Sequence, residues 1–180
     1  QSDTHITSQE TIIYSKAKSL FKLTKFTLSA LVVFSAIITF FTVAETYNWK
    51  QVMAICLGGF LVTAAANGFN QIIEKDLDKL MNRTKLRPIP TGNLTVNQAF
   101  IICAIFGIIG TMMLWIFTNP LSGIIGFVSI ILYALIYTPL KRVTPFSVFV
   151  GAIPGALPTL IGAIAATDGF GHFSFFALFF

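Results

Sequence analysis

VMAICLGGFLVTAAANGFNQIIEKDLDKLMNRTKLRPIPTG, residues Val52–Gly92, runs without a charge from Val52 to Ile73 and then sets three acids and five bases between Glu74 and Arg87. An uncharged run of that length is close to the roughly 20 residues that cross a bilayer as a helix. Four further runs meet the same criterion: Phe26–Ala44, Ala99–Thr118, Leu121–Leu140 and Phe146–Thr167. The composition of the 180 residues agrees, with 55% hydrophobic and only 11% charged side chains and a mean hydropathy of +0.80, whereas about a quarter of a soluble domain is charged. The expected fold is therefore all-α, a polytopic transmembrane bundle of five spans, with a sixth span starting at Phe173 in the run FSFFALFF. Since the chain lacks an initiator Met and stops inside that run, a C-terminal half is expected beyond Phe180.

The first run is too long, and too far from the N-terminus, for the apolar core of a cleavable signal, so it reads as a retained span. Residues 1–25 read as an N-terminal tail that ends in an interfacial helix, because Tyr14–Phe26 interleaves lysines with Leu, Phe and Tyr. Threading the bases through alternating spans puts every one of the twelve except Lys50 on one side. The positive-inside rule makes that side cytoplasmic, here of a bacterial-type inner (plasma) membrane. The net charge of +5 fits this topology and anionic headgroups; no motif for nucleic-acid recognition is present. Cys56 and Cys103 stand singly within spans, without metal-ligand spacing, and read as packing residues.

The cytoplasmic connection Lys75–Leu94 is long for a bundle, and long ordered loops are more often functional than idle. Thr95-Val-Asn-Gln98 offers a capping box to restart the helix after it. If the second span stays helical to Asp78, then Asn70, Glu74 and Asp78 follow at every fourth residue and drift only about 40° per step, forming one stripe. Asn67 falls in the same arc, and Asp76 projects elsewhere. One amide and two carboxylates at a membrane edge need a partner or a metal. Their all-oxygen chemistry suits Mg²⁺, which is commonly shared between one or two carboxylates and substrate phosphates. Arg83 and Arg87, four apart in RTKLRP, offer guanidinium forks for diphosphate oxygens, and Lys141 and Arg142 in YTPLKR arrive on the same face. Acids that bind metal and bases that bind phosphate together would explain the concentration of opposite charges.

These residues resemble a known family. The pattern N-x-x-x-E/D-x-x-x-D followed by M-x-R-T-x-x-R-P is similar to that of the UbiA-type intramembrane prenyltransferases, and NQIIEKDLDKLMNRTKLRPIPTG resembles in particular their haem-farnesylating branch, the protoheme IX farnesyltransferases. The resemblance continues through YTPLKRVTPFSVFVGAIPGALPTLIG, Tyr137–Gly162. It differs from the aromatic-prenylating relatives in Asn70-Gln71, where they commonly carry Asn-Asp, and in Glu74, where many carry Asp. The resemblance implies a nine-helix bundle, of which residues 26–180 are the first part of the prenyltransferase domain and hold the first of two acidic motifs; such a piece is expected to be inactive by itself. It implies that Asn70, Glu74 and Asp78 hold Mg²⁺ on farnesyl diphosphate, that Arg83 and Arg87 neutralise its oxygens, and that haem B is the acceptor.

Two other readings stand beside it: a sibling prenyltransferase acting on an aromatic quinone precursor, separable only by its acceptor pocket, and a transporter with an intramembrane cation site. Transporters usually place polar groups near the membrane midplane, whereas here they gather at one edge. Gly151-x-x-x-Gly155 reads as a small-residue packing signal, and Pro154 and Pro158 as bends in the fifth span. His5 and His172 receive no role.

Overall fold

The computed structural model describes residues 16–170. Residues 16–24 form a helix, α1, and five longer helices follow that are long and apolar enough to cross a membrane. These are α2 (Phe26–Val43), α3 (Trp49–Ile73), α5 (Val96–Phe117), α6 (Pro120–Leu140) and α7 (Ser147–Thr167). A short helix, α4 (Lys75–Leu80), continues α3 beyond the charge boundary. The five spans coincide with the expected runs to within a few residues. The expected sixth span at Phe173–Phe180, both histidines and the tail before Lys16 lie outside the described residues.

Local chemistry sets the helix boundaries. Thr95 accepts from the Gln98 N–H at 3.2 Å while the Gln98 side chain accepts from the Thr95 N–H at 3.1 Å, completing the expected capping box of α5. Asn48 and Gln51 make a second capping box that opens α3. At the start of α6, Asn119 caps the Ser122 N–H at 2.8 Å, and Pro120 takes the first helical position, where its missing N–H costs nothing. Asn119 also donates Nδ2 to the Ile164 carbonyl at 2.9 Å, tying the turn between α5 and α6 to α7.

Helix α3 lies at the centre, in contact with α2, α5 and α6, and α7 closes the arrangement by packing on both α2 and α6. Lipid is as apolar as leucine, so spans associate through close packing of small residues. Ala64, Ala65 and Ala66 on α3 are buried accordingly, and where α3 winds as a π-helix over Ala54–Gly58 its backbone meets that of α5. A Cβ added at Gly110 would lie 2.7 Å from the Gly58 carbonyl oxygen. The same device joins α7 to α2, since a Cβ at Gly162 would lie 2.1 Å from the Ala36 oxygen. Gly155, by contrast, has nothing within 4 Å of such a Cβ. Thus Gly155 of the expected packing pair makes no close helix contact, and Gly151 meets the Tyr137 ring. Pro154 and Pro158 are accommodated inside a helix that continues through both. Cys103 is buried beside Leu23 and Ala99, in a packing role as expected.

Candidate active site

The end of α3 sets the geometry of the site. The helix is interrupted only at Glu74, whose backbone (φ −92°, ψ 4°) forms the joint with α4. The Glu74 N–H still donates to the Asn70 carbonyl at 3.0 Å, and the Asp78 N–H to the Glu74 carbonyl at 2.8 Å. Helical register therefore survives the joint. Asn70, Glu74 and Asp78 are all buried, while the Asp76 side chain is 76% exposed and, among the described residues, pairs only with Lys79 at 3.5 Å. The stripe expected from the fourfold spacing forms, and Asp76 stands off it.

Two bases close on this stripe from different elements. Arg87 Nη1 donates to both Asp78 carboxylate oxygens, at 2.8 and 2.6 Å, and lies 3.9 Å from Glu74 Oε2. Lys141 Nζ, from the end of α6, lies 2.8 Å from Glu74 Oε1. The loop that brings Arg87 here folds back on α4: Thr84 Oγ1 donates to the Asp78 carbonyl at 3.2 Å, and Leu94 N–H closes onto the Pro88 carbonyl at 3.1 Å. Arg83 is exposed and, among the described residues, pairs with neither carboxylate. Arg142 reaches the stripe only through the backbone, donating Nη2 to the Ile73 carbonyl at 3.0 Å.

Asn70 is fixed by a residue the sequence left unassigned. Its Nδ2 donates to Thr138 Oγ1 at 2.9 Å, and Thr138 donates onward to the Tyr133 carbonyl at 2.8 Å. That carbonyl also accepts the Thr138 N–H, because α6 winds as a π-helix over Leu132–Tyr137 and pairs an N–H with the carbonyl five residues back. With its amide nitrogen engaged, Asn70 has Oδ1 left as the atom that can bind a cation. Thr138 lies in the quoted YTPLKR, but nothing in spacing marks it as the partner of Asn70.

Behind the stripe lies a cavity of about 500 Å³ between α2, α3, α6 and α7, lined in part by Val32, Asn67, Tyr133, Tyr137, Gly155 and Pro158. Tyr137 joins cavity and charges, because Lys141 Nζ stands 5.5 Å from the centre of its ring. The arrangement therefore sets paired acids and bases beside a largely apolar chamber, joined to it through Tyr137. It can hold a charged head outside and an apolar tail within.

Sequence reasoning also missed Lys25, taken only as a topology signal. Its ammonium is half-buried, and its pKa is lowered to about 8, first by that burial and then by the Arg87 and Lys141 charges, against the pull of Glu74 and Asp78. Lys25 thus belongs to the electrostatics of the site.

The chain is similar to known proteins over most of its length. It is 43% identical over 169 residues to the protoheme IX farnesyltransferase of Christiangramia forsetii, covering 94% of this chain and 55% of that protein. It is 46% identical over 161 residues to the protoheme IX farnesyltransferase of Flavobacterium psychrophilum, covering 86% and 53%. The chain thus spans about half the length of the curated relatives it matches. Its fold is similar to that of digeranylgeranylglyceryl phosphate synthase, with a TM-score of 0.80 at 21% identity over 91% of this chain and 57% of that one. A UbiA homologue from Archaeoglobus fulgidus bound to DMAPP and Mg²⁺ gives a TM-score of 0.71 at 15% identity, over 89% and 59%. The characteristic pattern of the UbiA prenyltransferase family matches residues 27–180, nearly all of the membrane bundle just described, and the chain belongs to that family.

Proposed function

We propose that this chain forms the diphosphate-gripping part of an enzyme that transfers a farnesyl group from farnesyl diphosphate to a vinyl group of haem B, giving haem O. The observation that carries the reading is the pair of opposed ion contacts, Arg87 to Asp78 and Lys141 to Glu74, beside the cavity. The names of the curated relatives supply the farnesyl donor and haem acceptor, and the DMAPP and Mg²⁺ bound to the A. fulgidus homologue are in keeping with a prenyl diphosphate and a divalent ion.

The residues present fit Mg²⁺. Asn70 Oδ1 and the two carboxylates are an all-oxygen set, and among the described residues no group of three His, Cys, Asp or Glu lies together to hold a metal on protein ligands alone. A magnesium site that relies on substrate phosphate oxygens for further ligands matches that set. Bound there, Mg²⁺ supplies charge stabilisation to the departing diphosphate. Arg87 and Lys141 exchange their carboxylate partners for phosphate oxygens, so no buried charge is left unpaired at any stage. Arg142 and Arg83 stand at the edge of the site as further bases for the incoming diphosphate. The C–O bond to the diphosphate breaks, and the apolar cavity keeps water from the farnesyl cation. The terminal vinyl carbon of haem B then forms the new C–C bond, and water adds to the resulting cation with loss of a proton.

Membranes carrying the full-length protein, given farnesyl diphosphate, Mg²⁺ and haem B, should form a more hydrophobic haem with the mass of a hydroxyethylfarnesyl adduct. Omitting Mg²⁺ should abolish the product. Unchanged haem, together with prenylation of 4-hydroxybenzoate, would replace the acceptor while leaving the diphosphate site standing.

The bundle is a multi-pass integral membrane protein, and its charged end is assigned to the cytoplasm of a bacterial-type inner membrane because only Lys50 among the twelve bases falls on the opposite side. A membrane-impermeant thiol reagent added outside intact cells should leave Lys85→Cys unmodified and label Tyr47→Cys, since both positions are exposed. External labelling at Lys85→Cys would invert the orientation.

A further inference from the structure

Helix α1 ends, and α2 begins, at a break with no local cause: residues 16–57 contain neither glycine nor proline. At the break Lys25 takes the left-handed conformation (φ 46°, ψ 56°), which side-chain-bearing residues seldom adopt. The surrounding structure supplies what holds it there. Gln71 Nε2 donates to the carbonyls of Lys22 at 3.1 Å and Leu23 at 2.8 Å. Ser29 Oγ donates to the Thr24 carbonyl at 2.7 Å and is itself bonded by Asn67 Nδ2 at 3.3 Å. Lys22 Nζ reaches the Leu86 carbonyl at 3.2 Å, joining the elbow to the loop that carries Arg87. Gln71 and Ser29 are fully buried, so these are interior constraints. Strain that the surroundings over-determine in this way is characteristic of functional positions.

Gln71 adjoins Asn70 in the chain and Leu86 adjoins Arg87, so these bonds seat the elbow beside the stripe and its bases, and Lys25 lies within the field of Glu74, Asp78, Arg87 and Lys141. The two carboxylates already have cations at 2.6 and 2.8 Å. Lys25 is therefore a surplus positive charge held among like charges, which is unfavourable until an anion arrives. A prenyl diphosphate with one Mg²⁺ remains an anion and would use that surplus. We propose that Lys25 is a third cationic ligand of the diphosphate, and that Gln71 is the positioning residue that holds the elbow presenting it. This rests on the prenyl diphosphate reading above. It also accounts for Gln at position 71, because a carboxylate there would face two backbone carbonyls and could donate to neither.

The test is calorimetric binding of inorganic pyrophosphate with Mg²⁺ to the purified full-length protein, alongside its thermal midpoint in detergent. Lys25→Met should weaken binding about tenfold, the usual scale of one charge-assisted contact. Lys25→Arg should restore most of it. Lys25→Gly should relax the left-handed backbone and raise the midpoint while weakening binding as Lys25→Met does. Gln71→Glu should weaken pyrophosphate binding with Lys25 intact and add little to Lys25→Met. Unchanged binding in Lys25→Met, with Arg87→Met strongly impaired, overturns the role of Lys25 alone. If neither substitution alters binding, or the wild type binds no pyrophosphate, the diphosphate site itself is wrong and this inference falls with it.

Discussion

Asp78→Asn in the full-length protein is expected to lower turnover at least about a hundredfold, the scale of removing one preorganised electrostatic group from a reaction centre, while Asp76→Asn stays within about twofold, as for an exposed surface pair. The two carboxylates are separated by one residue and share one short helix, so the contrast isolates direction from proximity. Asp78 accepts both bonds from Arg87, whereas Asp76 meets Lys79 in solvent. The amide is a better probe than alanine. Deleting the side chain would leave Arg87, only 20% exposed, without its closest partner, and breaking a buried pair on one side costs about 3–5 kcal/mol. Asparagine keeps an acceptor for Arg87 and removes the charge proposed to hold Mg²⁺. Glu74→Gln should fall with Asp78→Asn for the same reason, through Lys141. Equal losses at Asp76 and Asp78, at unchanged expression, would sink the assignment of the stripe.

The spans and the stripe were legible because each depends on one periodicity. Uncharged run length locates a membrane helix without knowledge of its neighbours, and a fourfold spacing survives the joint at Glu74 because the backbone bonds on either side are kept. The choice between Arg83 and Arg87 was not legible. Both flank Lys85 in RTKLRP, and only the fold-back of the loop through Thr84 onto the Asp78 carbonyl decides that Arg87 reaches the acids. Lys25 was hidden more deeply, since a helix break without glycine or proline has no local signature and is imposed from α3, by Gln71 directly and by Asn67 through Ser29. Thr138 was likewise invisible, because its contact with Asn70 joins residues 68 apart in the chain.

Small-residue motifs misdirect in the same way, and the resulting error can be measured. Gly162→Ala is expected to destabilise the bundle by at least about 1–3 kcal/mol, the cost of forcing one carbon into a packed contact, whereas Gly155→Ala should be neutral or slightly stabilising. Gly162 is where α7 touches the backbone of α2: the added carbon would sit 2.1 Å from the Ala36 carbonyl oxygen and 3.2 Å from the Phe40 nitrogen. Neither is the end of a flexible side chain, so the helices themselves must separate. Because α2 and α7 form two walls of the cavity, through Val32 on one side and Pro158 on the other, that separation should also raise KM for the prenyl diphosphate. At Gly155 no atom lies within 4 Å of the added carbon, and alanine gains about 0.5–1 kcal/mol over glycine inside a helix. Thermal midpoints of the purified full-length variants in detergent decide the matter. A Gly162→Ala midpoint equal to wild type, or a Gly155→Ala midpoint as low as that expected for Gly162→Ala, would mean that α2 and α7 do not meet at this crossing.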